Sequence, residues 1–174
     1  MKTPRKLVLM SMFVAMALVL HLFEGMLPIQ FGTPGAKLGL ANIVTVVSLY
    51  LFGFKESFTI VTVRILLGSL FAGGVTGFLY SLSGGLVSLF VMVLLILLFK
   101  DNVSIIGVSI AGAVTHGVGQ ILMAMVVVQN VRIISYLPVL MILSIGTGVF
   151  VGIVSKMMLR LIPNHIEALS NYRE

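Results

Sequence analysis

Cysteine is missing from this chain, so disulfides, thiol catalysis and thiolate metal sites are excluded. Acidic residues are scarce as well: five Asp and Glu stand in 174 residues, against eleven Lys and Arg. Only 9% of residues are charged, where a soluble domain carries roughly 25%, and a soluble globular fold is excluded on that ground. Enzyme signatures are also missing. There is no aspartate-rich motif to hold magnesium and diphosphate, no Walker motif, and no His/Glu cluster at metal-ligand spacing. The expectation is a protein without catalytic residues, cofactor or metal. The net charge of +6 does not mark a nucleic-acid binder, because the basic residues sit at the ends of apolar runs, where they act as topology signals.

What the chain has in abundance is apolar sequence: 59% hydrophobic residues and a mean hydropathy of +1.21. Six apolar segments follow one another, roughly Leu7–Leu27, Leu38–Phe52, Phe58–Phe71, Phe78–Phe99, Val103–Val128 and Tyr136–Ile162. The expected architecture is an all-α polytopic membrane protein, with residues 1–174 forming one transmembrane domain of six helices and no separate soluble domain. The second and third segments fall short of the ~20 residues needed to cross hydrocarbon. Two short spans in a thin or protein-lined region suit them better than a re-entrant hairpin, with Lys55–Glu56 forming a tight turn at a membrane surface. Pro28, Pro34 and Gly35 mark the first loop, Gly73–Gly74 the third, and Pro138 the entry to the last helix.

With six spans both termini share one side, together with Lys55 and Lys100. That side carries Lys2, Arg5, Lys6, Lys156, Arg160 and Arg173 too, whereas Lys37 and Arg132 fall on the other. The positive-inside rule then puts both termini in the cytoplasm of a cell-membrane protein. The Ala15-Met16-Ala17 triplet resembles a signal-peptide cleavage site, but it lies inside the apolar run, and the segment reads as the first span.

Arg64 interrupts the third run, with seven uncharged residues on each side. A charge at that depth costs on the order of 3 kcal/mol on insertion scales, so it must face a protein interior or a wet cavity. An ion pair that merely ties helices together is one explanation, and a ligand pocket is another. The predicted topology places further polar groups in the outer halves of the spans: His21 and Glu24 in the first, Lys37 and Asn42 at the start of the second, Tyr80, Ser81 and Ser83 in the fourth, His116 and Gln120 in the fifth. Arg132 and Tyr136 flank the entry to the sixth. Singly, each has a plain structural explanation. Asn42 or Gln120 bonds a neighbouring helix, His116 is a satisfied core histidine, Glu24 neutralises Lys37 or Arg64, and Tyr80 and Tyr136 anchor the interface. Six helices contributing polar groups at similar depth are harder to attribute to packing alone. Lys37, Arg64 and Arg132 against one carboxylate, Glu24, suit an anionic ligand. Small residues spaced four apart, Gly148/Gly152 and Ser11/Ala15, allow close helix approach, internal for the first pair and open to another protein for the second.

Several of these residues carry a resemblance that runs from about Leu7 to Leu161. Glu24 with Pro34-Gly35-Ala36-Lys37-Leu38-Gly39-Leu40-Ala41-Asn42-Ile43 resembles the first-loop signature of the Gx transporter family, often labelled heptaprenyl diphosphate synthase component I. Arg64-Ile65-Leu66-Leu67-Gly68-Ser69, Tyr80-Ser81-Leu82-Ser83-Gly84-Gly85, His116-Gly117-Val118-Gly119-Gln120 and Tyr136-Leu137-Pro138 resemble it as well. That family is similar in size and topology to the substrate-binding S-components of energy-coupling factor transporters. The resemblance implies a six-helix, S-component-like bundle that takes up a small vitamin-like molecule from outside. Its implied partners are a transmembrane coupling protein and ATPase subunits. In S-components an Ala-xxx-Ala face on the first helix docks the coupling protein, and here Ser11 and Ala15 take those positions, with serine for the first alanine. Lys37, Arg64 and Arg132 would then supply charge, Asn42, His116 and Gln120 orientation, Tyr80 and Tyr136 apolar contact. Two other readings stand beside this one: a membrane accessory subunit of a polyprenyl or quinone-related pathway, and a scaffold of a redox membrane complex.

Overall fold

A computed structural model describes residues 3–26 and 39–161. Among them are six α-helices and no strand: α1 (Thr3–Met26), α2 (Asn42–Phe52), α3 (Phe54–Gly68), α4 (Gly74–Phe99), α5 (Ile105–Val128) and α6 (Leu137–Leu161). The protein is an all-α membrane bundle. Four stretches are long and apolar enough to cross a bilayer, Lys6–Met26, Gly74–Phe99, Ile105–Val128 and Val131–Leu161.

The short second helix is explained by its surroundings. α2 has 11 residues, about 16 Å at 1.5 Å per residue, roughly half the hydrocarbon thickness. It packs against each of the other five helices, and all its residues from Asn42 to Leu49 are buried. A helix sheathed by protein has no need to match the bilayer in length. Its apolar residues Ile43, Val46, Val47 and Leu49 meet Leu89 and Met92 of α4, Val108 of α5 and Val151 and Leu159 of α6 in the main core. Large side chains such as Val8, Met12 and Val19 of α1, Leu94 and Leu97 of α4, and Ile142 and Phe150 of α6 point outwards, as a lipid-facing surface requires.

The turns differ from the sequence expectation in two places. α2 gives way to α3 at the single residue Gly53, whose φ of 89° and ψ of −173° are open to glycine alone. Lys55 and Glu56 belong to the first turn of α3, where Glu56 meets the Nζ of Lys6 on α1. α3 runs on through a five-residue π turn, Ser69–Gly73, directly into α4, so the expected third loop at Gly73–Gly74 is a bend between two helical segments. Elsewhere local chemistry accounts for the breaks. The Ser104 side chain accepts from the Gly107 N–H (3.0 Å) and starts α5, and Gln129, in the left-handed region at φ 53°, ends it. A short 3₁₀ segment, Val131–Tyr136, leads into α6, with Pro138 in its first turn.

α5 and α6 run antiparallel and close together. A Cβ built on Gly148 would stand 2.6 Å from the Ile110 Cα, and one on Gly152 2.7 Å from the Ile106 Cα. α4 and α5 approach in the same way, through Gly119 against the Ser83 carbonyl and the Gly84 Cα. This alternation of direction gathers the C-terminal halves of α1, α3 and α5 and the N-terminal halves of α2 and α4 at one end of the bundle, opposite the main apolar core.

Candidate functional site

That end holds the buried polar residues, and glycines set their spacing. Glu24, in the last turn of α1, accepts the backbone N–H groups of Gly39 (2.5 Å) and Leu40 (3.3 Å). Both lie just before α2, so the carboxylate fixes the entry to that helix. Gly39 has φ 84°, a left-handed conformation that a side chain would strain. A Cβ there would stand 2.9 Å from the Asn42 Nδ2 and 3.5 Å from the His116 Cδ2, which puts the Asn42 amide beside the His116 ring.

On the far side of that ring is α4. Gly84 meets the His116 carbonyl at 2.8 Å, the Gln120 Cγ at 2.9 Å and the His116 Cε1 at 3.0 Å from its would-be Cβ. Next to it, Gly85 faces α3, with the Arg64 Nη2 at 3.4 Å. Ser83 clamps the same pair of helices by donating its hydroxyl to the Gly119 carbonyl (2.7 Å). A row therefore runs from Asn42 through His116 and Gln120 to Arg64, across α2, α5, α4 and α3. His21 adds α1 to it, its ring lying on Gly68 with the Cδ2 2.9 Å from the would-be Cβ. Tyr80 and Ser81 are buried one turn before Gly84.

Burial makes the electrostatics severe. Arg64 is 3% exposed, and Glu24 is a charge that acts on it. Among the described residues, its Nε and Nη2 and both polar atoms of the Asn42 amide are buried with no hydrogen-bond partner. Such groups in native proteins are bonded as a rule, and each exception calls for an explanation. Four donors and acceptors of this kind, on α2 and α3, mark this end of the bundle as the candidate site for a small polar molecule carrying negative charge. Any metal-holding group of three or more His, Cys, Asp or Glu is absent among the described residues.

The structure thus brings together Glu24, Asn42, Arg64, His116 and Gln120, with Tyr80 buried on α4 one turn before Gly84. Glu24 does so through backbone N–H groups of the chain itself. Arg132 and Tyr136 stand apart from this row, on the exposed 3₁₀ segment Val131–Tyr136, with Tyr136 44% exposed. Asn130 accepts the Arg132 N–H there and orders the segment locally (3.0 Å). Lys37 lies outside the described residues. Ser11 and Ala15 are exposed on α1, and the Ser11 hydroxyl is bonded to the Leu7 carbonyl (3.0 Å). Sequence analysis named His21 among the outer polar groups without giving it a binding role, and met the glycines at 39, 68, 84 and 85 only as members of motifs. Polarity within an apolar run signals the histidine, but nothing short of the helix pairing signals which glycines bring the row together.

Residues 13–158 match the family model described as heptaprenyl diphosphate synthase component I. Neither the curated proteins nor the solved structures contain a match to the chain. The family match covers most of the sequence, and the chain belongs to this Gx transporter-like family of membrane proteins.

Proposed function

We propose, with that membership as premise, that the chain is the substrate-binding membrane subunit of an energy-coupling factor transporter, and that it takes up a small anionic molecule. The observation that carries this reading is Arg64. A guanidinium buried at this depth, with two nitrogens lacking a partner among the described residues, is costly unless an anion joins it. Arginine matches carboxylate or phosphate with a planar fork of donors, so the arrangement suits an acid better than a neutral solute. Asn42, His116 and Gln120 would orient the ligand, and Tyr80 would line it.

In this reading the chain binds and does not catalyse, and ATP is hydrolysed on partner chains. The word synthase in the family description has no counterpart in the residues, which lack the aspartate-rich chemistry of prenyl transfer. Both termini are cytoplasmic, so the polar end of the bundle opens outwards. The exposed Ser11/Ala15 face of α1 docks the coupling protein.

The test is mass spectrometry of small molecules extracted from purified wild type and Arg64→Met. An acidic compound retained by wild type and lost from a folded variant supports the reading. Retention of the same compound by both sinks it, and retention of an isoprenoid diphosphate moves the chain to a polyprenyl pathway.

A further inference from the structure

We propose that the ligand presents a hydrogen-bond donor and acceptor side by side, as in the –CO–NH– edge of a lactam or pyrimidinedione ring, and that Asn42 reads that edge while Arg64 holds the ligand's acidic group. This deepens the binding reading above and rests on it.

Asn42 is 2% exposed, and among the described residues neither its Oδ1 nor its Nδ2 has a partner. The ambiguity that attends any amide, which atom is oxygen and which nitrogen, does not matter here, because both ends lack partners. A primary amide offers one acceptor and two donors about 2.3 Å apart in one plane. Its best complement is another cis amide, which returns a donor to the oxygen and an acceptor to the nitrogen. A plain carboxylate would leave the oxygen without a donor, and a hydrocarbon tail would leave both atoms bare. Asn42 is also held in place. It stands at the start of α2, its backbone N–H bonded to the Gly39 carbonyl (2.8 Å), and Glu24 fixes Gly39 in turn. The His116 ring packs beside it, and the Arg64 Nη2 lies against Gly85, next to the Gly84 that touches that ring. A single ligand lying along this row would meet Asn42 with its amide edge and Arg64 with its acid.

The experiment measures melting temperature and affinity of the purified full chain in detergent with orotate, flavin mononucleotide and folate, each beside its counterpart methylated at the ring N–H. Farnesyl diphosphate serves as an acid without an amide edge. The expected result is that at least one parent compound stabilises wild type and binds more than about tenfold tighter than its methylated form, as a site built to hydrogen-bond discriminates. Asn42→Leu should keep or raise the melting temperature without ligand, because it removes two unsatisfied polar atoms, and should abolish that discrimination. A large fall in the ligand-free melting temperature would show that Asn42 is structural and overturn the proposal. Equal binding of parent and methylated compounds, or preference for farnesyl diphosphate, with loss in Arg64→Met, would overturn the amide edge and leave the anion site standing. No response to any of the acids would overturn both.

Discussion

A single guanidinium decides most at the scale of residues. If Arg64 only balanced Glu24, neutralising both would restore the stability lost by either change alone, and binding would be untouched. Glu24 acts on Arg64 as a charge and also accepts the backbone N–H groups of Gly39 and Leu40, so it keeps partners when the guanidinium is removed. Arg64→Met should therefore fold nearly as wild type, since methionine is apolar and flexible enough to fill the site. Affinity for the retained acid should fall by some 2–5 kcal/mol, the range for truncating one partner of a buried charge pair. Arg64→Lys should recover part of that, lacking the bidentate fork. Titration of the extracted ligand back into each variant measures both, and unchanged affinity in Arg64→Met ends the assignment. Arg64, Asn42, His116 and Gln120 were legible in the sequence because a polar side chain in an apolar run has few places to go. The hold of Glu24 on the entry to α2 was not, because it acts there through N–H groups, which every residue but proline carries.

Helices make their own predictions. Gly146 and Gly148 lie two residues apart in α6 and face opposite environments. A Cβ at Gly146 would meet nothing within 4 Å, whereas one at Gly148 would press on the Ile110 Cα at 2.6 Å. Gly148→Ala should destabilise the bundle by roughly 1–3 kcal/mol, since backbone atoms must move. Gly146→Ala should be neutral or stabilising by up to about 1 kcal/mol, the helix preference for alanine. Thermal unfolding in detergent compares them, and equal effects would contradict the α5–α6 packing. A second element-scale contact joins the start of α1 to the start of α3. Burial tends to raise the Glu56 carboxyl, but the hydrogen bond from Lys6, a backbone hydrogen bond and the charges of Lys6 and Lys55 hold it below its ordinary value of 4.5. A depressed carboxyl stabilises the fold above the unfolded value, and that contribution fades as pH falls through the folded value. Wild type should thus lose a little stability, well under about 1 kcal/mol for so exposed a pair, as pH drops below about 4.5. In Glu56→Gln this increment of the acid loss should be missing, and identical pH profiles would show that the pair contributes nothing. Helix positions could be read from the apolar runs, but the bends could not. Lys55–Glu56 looked like the turn because charge marks a membrane surface, while Gly53 makes it by conformation.

Seen as a whole, the molecule has two unlike ends and several bare flanks. Alternating helix direction, already implied by short connections between apolar runs, collects the polar row at one end, which is why so much of it could be placed without coordinates. Arg132 and Tyr136 lie on the exposed 3₁₀ segment and not in the row, because nearness to a span end in sequence does not by itself bring a side chain into the bundle. The proposed orientation, polar end outwards, can be tested with single cysteines, which have no native thiol to compete with them. Cysteine at position 132 should react with an impermeant reagent in intact cells and cysteine at position 100 should not; the reverse pattern would turn the site to the cytoplasm. One bare flank is α1, where Ser11 and Ala15 are exposed among Val8, Met12, Met16 and Val19. Lipid can cover such a face, and so can a coupling protein whose helix approaches where side chains are small. Ala15→Leu separates these covers. Leucine is as comfortable in lipid as alanine, so a lipid-covered face should tolerate it in every respect. A face that docks a helix should reject it, abolishing uptake in cells and co-purification of the coupling protein. Ligand binding to the isolated chain should survive, because Ala15 lies roughly 13 Å along α1 from Glu24 and the polar row. Normal uptake by this variant would remove the docking assignment, and loss of the folded protein would show that α1 packs inside the bundle by that face.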